Sequence, residues 1–120
     1  MKITVEHANR NRQTGDIEGF TPVAEVQIPT DLSASGTTND CLEYAYRWTN
    51  NIEGSWSIKK TSFTLADGSS VANGDFNNDV TVLKNREDGL GQRSSMTNDR
   101  FIIDGEQVFE CSFFGFKKSA

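Results

Sequence analysis

A chain of 120 residues with 12 basic and 17 acidic side chains has the length of one domain and a formal net charge of −5. Eight Phe and two Trp among 35% hydrophobic residues are enough for a packed core, which excludes a globally disordered chain. The acidic balance, with Lys and Arg dispersed along the sequence, argues against direct nucleic-acid binding, because phosphate contacts need clustered cations.

In chain order, residues 2–6 (KITVE) alternate polar and apolar and predict a half-buried strand. Residues 8–19 are polar, contain Gly15 and Gly19, and predict an exposed loop. A second strand is expected over residues 20–28, with Ala24, Val26 and Ile28 in register. Pro22 places its start at a sheet edge and Pro29 ends it. Residues 31–39 are small and polar, and predict a loop.

A helix is expected over residues 40–51, capped by Thr38 or Asn39. Cys41, Ala45, Trp48 and Ile52 would form its buried stripe, and Glu43 and Arg47 an exposed i, i+4 pair. Tyr46 points away from that stripe. Residues 55–65 hold a short strand, 67–79 are turn-rich, 80–83 form another strand, and 85–92 form a turn.

A hairpin closes the chain, with arms 101–103 and 107–114 around Asp104-Gly105. A two-residue loop there sets Phe101 opposite Val108 and puts Phe109, Cys111 and Phe113 on the face of Ile102. Apolar side chains on both faces imply a position inside the sheet. The second face then needs a loop, another layer or a second subunit, which would make a homo-oligomer through this hairpin. The expected fold class is α+β: a mainly antiparallel sheet with one amphipathic helix packed on one face, in a single domain over 1–120.

No apolar run approaches the ~18–20 residues that span a bilayer, so no membrane contact is expected. The opening MKITVEHANR lacks the apolar centre of a secretory signal, and the expected location is the cytoplasm. In that setting Cys41 and Cys111 read as buried, reduced thiols.

Few motifs carry chemistry. Residues 75–79 (DFNND) open like a calcium loop, but Val80 and Arg86 stand where that loop needs Gly and a carboxylate, which leaves an Asx-rich turn. His7 is the sole histidine and has no cysteine at metal-ligand spacing, so neither metal nor cofactor is expected. No G-x-S-x-G, P-loop or G-x-G-x-x-G is present. A Ser/His/Asp centre assembled from distant segments stays open.

The stretch RSSMTND supports two readings. In one, Arg93 and Asp99 pair and Ser94 bonds a turn. In the other, Arg93 contacts an anion through its guanidinium fork. Tyr46 and Trp56 are either aromatic anchors of a binding face or a half-buried Tyr beside a core Trp.

These residues also carry a resemblance. RSSMTNDRFIIDGEQVFECSFFGF resembles the closing signature of small uncharacterised proteins of tailed phages and mobile elements. That signature runs R-S-x-S-V-G-D, β-formers, a Gly turn, a Cys-bearing strand and a final Gly-Phe. Arg93, Ser94, Asp99, Gly105, Cys111, Gly115 and Phe116 match it; Met96, Thr97 and Asn98 stand in place of Ser-Val-Gly. The segment CLEYAYRWTNNIEGSW is similar to the same family's helix, with Leu42, Glu43, Thr49, Asn50 and Trp56 on its places.

The resemblance spans residues 40–116 and implies an accessory protein of a phage or mobile element, working in the host bacterial cytoplasm. Such proteins include inhibitors of host defence. The expected partner is a host defence protein or a small nucleotide ligand, with Arg93, Ser94, Asp99, Tyr46, Asn50 and Trp56 as binding residues. Two alternatives stand beside it. One is a small hydrolase or transferase centred on Arg93, Ser94, Asp99 and Glu43. The other is a structural or assembly protein.

Overall fold

The alternation of KITVE extends well past its apolar residues. In the structure, a computed structural model describing residues 1–119, β1 (Lys2–Arg10) and β2 (Ile17–Gln27) form a long antiparallel ribbon. The loop expected over residues 8–19 is therefore strand at both ends, over residues 8–10 and 17–19. Backbone pairing continues there with Ala8 and Ile17 as the only apolar side chains, and only residues 11–16 turn. Asn11 closes that turn by accepting from the backbone N–H groups of Gln13 and Thr14, as Asx side chains do.

The ribbon sits inside a six-stranded antiparallel sheet of order β5-β2-β1-β6-β7-β8. β5 (Val80–Val82) pairs only with Ala24–Val26 of β2, which leaves Pro22 on an open stretch of edge as its missing N–H requires. A register shift between Val5 and Glu6 leaves Val23 unpaired beside Ala24, and both become buried. Ile3, Val5, Ala24, Val26, Phe101 and Ile103 line the sheet's inner face.

α1 (Thr30–Ser35) replaces the loop expected after Pro29 with one and a half helical turns. α2 (Thr38–Arg47) is capped one residue before Thr38 and two before Asn39, the caps expected. Thr37 is the N-cap: its hydroxyl accepts from Asp40 N–H and the Asp40 carboxylate accepts from Thr37 N–H. Cys41, Leu42 and Ala45 bury its inner face. The helix ends before the expected stripe does, so Trp48 is half-buried and Ile52 is 62% exposed. Arg47 pairs with buried Asp75 at 3.2 Å, not with Glu43.

The strand expected over residues 55–65 shrinks to β3 (Ser62–Thr64), paired with β4 (Ser70–Ala72). Residues 55–60 stay irregular because the Asn73 amide holds them, donating to the carbonyls of Ser55 and Lys60 at 2.9 and 2.8 Å. This irregular segment delivers Trp56 into the core, fully buried.

β6 (Arg100–Ile103) and β7 (Gln107–Ser112) form the expected hairpin, with Asp104 and Gly105 both at positive φ. Glu106 N–H closes the turn on Ile103 O, but the ladder resumes one residue later, with Ile103 opposite Gln107. Phe101 therefore faces Phe109 and not Val108. A one-residue slip exchanges the faces of a strand, so Cys111 joins Phe101 in the core. The final arm is itself a hairpin: β8 (Gly115–Ser119) folds back on β7 around Phe113 and Phe114, which are 87% and 96% exposed. The fold is thus α+β, with a dominant antiparallel sheet and α2 packed against it. Among the described residues no helix is long and apolar enough to cross a membrane.

Burial sets Phe101, in the core, apart from Phe113 and Phe114 at the hairpin tip. Phe101→Ala should cost about 3–5 kcal/mol in urea unfolding, whereas Phe113→Ala or Phe114→Ala should stay within about 0.5 kcal/mol. A large, concentration-dependent loss at the tip would instead mean that those rings are covered by a second chain.

Candidate functional site

β1 carries Ile3, Val5, His7 and Asn9 on one face, so a single stripe changes from apolar to polar as the ribbon leaves the core. Opposite it on β2 lies Thr21, paired with His7, and the unpaired Val23 lines the same space. The segment after β5, residues 84–93, forms the facing wall. It is anchored at Ser57, whose hydroxyl accepts from Gln92 N–H at 2.7 Å and whose carbonyl accepts from the Asn85 amide at 3.1 Å. Gly91, at φ 78°, makes that approach feasible: a Cβ there would lie 2.7 Å from Ser57 Oγ.

Between the two walls is an open groove of about 590 Å3, within the ~300–1,000 Å3 range of small-molecule sites. Arg10, Arg12, Lys84, Arg86 and Arg93 line it, against one carboxylate, Glu87. Two of these cations are already compensated, Arg93 by Asp99 and Arg86 by Asp88. Arg10 is held by neutral acceptors, Gly15 O and Asn98 Oδ1, and keeps its charge uncompensated. Among the described residues Arg12 and Lys84 have no ion-pair partner. An acidic chain thus gathers cations from two distant segments at one concave surface, the arrangement that attracts a small anion.

Below the groove floor, Asp99 is fully buried. Its Oδ1 accepts from Ala8 N–H at 2.8 Å and Arg93 Nη2 at 2.8 Å; its Oδ2 accepts from Arg93 Nη1 at 2.7 Å and Met96 N–H at 2.8 Å. Arg93 also donates to the carbonyls of Ser94 and Ala8. The guanidinium is thus directed largely inward. It fixes the groove wall and leaves little donor capacity for a ligand. Asn98, at φ 78°, completes the turn with a residue type that tolerates the left-handed region.

The remaining expected site residues divide. Trp56 lies in the core, its Nε1–H donating to Arg93 O at 2.9 Å, and has no exposed surface. Ser94 Oγ accepts from Asn51 N–H at 2.8 Å, a turn bond. Arg93, Ser94, Asp99 and Trp56 are therefore brought together as one scaffold. Asn50 lies elsewhere, its amide donating to Tyr46 O. Tyr46 packs on Phe101 and Phe116 and, with Glu43, lines a separate hollow of about 170 Å3. Among the described residues no hydrogen bond joins Glu43 to Arg93, Ser94 or Asp99.

His7 is buried against the edge of the Trp56 ring. Its Nε2 lies 3.2 Å from Ser95 Oγ and 3.9 Å from Asp99 Oδ2. Ser, His and Asp are thus assembled from distant segments, but not as a relay. A hydrolytic triad has serine and carboxylate on different ring nitrogens; here both approach Nε2. Ser95 is also only 2% exposed. Burial, partly opposed by the Asp99 charge, lowers the His7 pKa from 6.5 to about 4, so the ring is a weak base near neutrality. Burial raises both thiols, Cys111 to about 11, and keeps them protonated.

No protein-family model, curated protein or solved structure matches this chain. The groove cations Arg10, Arg12, Lys84 and Arg86 escaped sequence reasoning. Their one sequence signal is the close i, i+2 spacing of each pair; Arg12 lies in the turn after β1 and residues 84–86 are irregular, so no strand face could be read from it.

Asp99→Ala removes the acceptor of two backbone N–H groups and the counter-charge of Arg93, and should cost about 3–5 kcal/mol by chemical denaturation. His7 adds a pH term. Its folded pKa lies below its unfolded value, so the unfolded chain takes up the extra proton. Stability is therefore full above about pH 6.5 and falls as pH drops toward 4, by on the order of 3 kcal/mol. Denaturation of wild type against His7→Gln across that window should isolate this term.

Proposed function

We propose that this chain is a binding protein whose cationic groove takes a small phosphate-bearing ligand. The supporting observation is the groove between residues 8–12 and 84–93, where Arg10, Arg12 and Lys84 stand without carboxylate partners among the described residues, around a space of ligand size. Together with the phage-type signature, this favours sequestration of a small nucleotide signal of a host defence system by an accessory protein of a phage or mobile element. The expected setting is the host cytoplasm. Neither a metal nor a second cofactor enters this reading.

A second reading has its own observation. Phe113 and Phe114 project at the β7–β8 turn, next to the hollow lined by Glu43, Tyr46 and Phe116. Exposed aromatics of this kind serve as anchors in protein interfaces, which fits occlusion of a host protein surface or self-association through the hairpin. The hydrolase alternative finds less support, since His7, Ser95 and Asp99 are wired inward.

Calorimetric titration against mononucleotides and cyclic dinucleotides tests the groove. Binding should weaken with added salt, and Arg12→Ala or Lys84→Ala should each reduce affinity about fivefold, close to 1 kcal/mol. The same variants should lose protection of phage in a host with active immunity. Binding that is indifferent to both variants, or Phe114→Ala abolishing protection while they do not, would favour the second reading.

A further inference from the structure

The hydroxyl chain behind His7 fixes where the imidazole proton resides. Thr49 Oγ1 lies 2.9 Å from Ala45 O and 2.8 Å from Ser95 Oγ. A carbonyl cannot donate, so the single Thr49 hydroxyl proton goes to Ala45 O. Ser95 must then donate to Thr49 Oγ1. With its own proton committed, Ser95 Oγ can only accept from His7, at 3.2 Å. His7 Nε2 therefore carries the hydrogen, and Nδ1 holds a lone pair. The reverse assignment would set Thr49 Oγ1 and Ala45 O 2.9 Å apart with no hydrogen between them.

Nδ1 is the one buried side-chain nitrogen or oxygen among the described residues with no hydrogen-bond partner. Leaving such an atom unpaired is costly, and native structures do so rarely. His7 is also a wall residue of the cationic groove, and the Gln92 amide of the same wall comes near enough to the ring to act on it as an acceptor without forming a well-aligned hydrogen bond; an acceptor there cannot donate to a lone pair on Nδ1. That amide is tied to Lys84 O by one hydrogen bond of 3.1 Å.

We propose that His7 is a specificity-determining residue of the groove: it selects phosphate-bearing ligands that also present an N–H or O–H group, which donates to His7 Nδ1. The phosphate sits among Arg10, Arg12 and Lys84, and the donor reaches the ring by displacing the Gln92 side chain. This rests on the groove being a ligand site. It narrows the ligand class from any small anion to a molecule with a donor beside its phosphate, as a nucleotide base or sugar provides. Arginines alone would not make that distinction, whereas a site built to receive a hydrogen bond discriminates strongly against analogues lacking one.

Ring-nitrogen NMR of 15N-labelled protein, near pH 8, tests the assignment without a substitution. The probes are sulfate and adenosine 5′-monophosphate, both dianions there because the phosphate's second pKa is about 6. Ribose 5-phosphate is a third probe and separates a sugar hydroxyl from a base amine. The free protein should show His7 protonated at Nε2. The nucleotide should move the Nδ1 resonance and bind about fivefold tighter than sulfate, while sulfate shifts only the backbone amides of residues 10–12 and 84–86. A proton on Nδ1 in the free protein overturns the proposal at once. Amide shifts with both probes while Nδ1 stays unmoved would overturn it and leave the anion groove standing. No shift at either place would remove both.

Discussion

The carboxylate of Asp99 is the point on which this architecture turns. Its two oxygens take four hydrogen bonds, from β1, from Arg93 and from the Met96 turn. Its backbone adds a fifth link, accepting from Cys111 N–H on β7. A carboxylate without water is tolerable only when every lone pair is answered, so these segments must arrive together. Their convergence sets the position of Arg93, and through it the groove wall. The same cluster sets Trp56 and His7 edge to face and ties Trp56 to the Arg93 carbonyl. The polar stretch before the hairpin is therefore a joint between the sheet and the irregular segments that cover it.

Local chemistry was legible wherever it acts over a few residues. Asp104-Gly105 announced its turn, and the helix announced its amphipathic face through Cys41 and Ala45. The pairing of Arg93 with Asp99 was one of the two readings that RSSMTND left open. What failed were inferences that required register. The residue added at Glu106 is invisible in composition, yet it moved Cys111 to the opposite face. The polar run 8–19 looked like a loop because strands were sought by apolar alternation, and this ribbon extends beyond the apolar core.

The groove shows the same limit. Its cations come from residues 10–12 and 84–86, brought together only because β2 pairs with both β1 and β5. Counted along the sequence they are dispersed, and dispersal on an acidic chain argues for solubility. Arg93 is the instructive opposite: it was singled out as a contact, and its fork proves to be turned inward. An arginine's charge can be read from sequence, but its free donor capacity depends on the acceptors the fold assembles around it.

An open sheet also has to avoid its own kind. β5 and β8 each leave one side unpaired, and unpaired backbone invites strands from neighbouring molecules. At one end β5 offers only three residues, and the stretch of β2 that it leaves open is interrupted by Pro22, which has no N–H to donate. At the other, Lys117 and Lys118 put consecutive positive charges on the terminal strand, so a second copy would bring lysine against lysine. The sheet is thereby terminated at both margins without being closed, which keeps a β-rich chain with two bare phenylalanines from growing edge to edge.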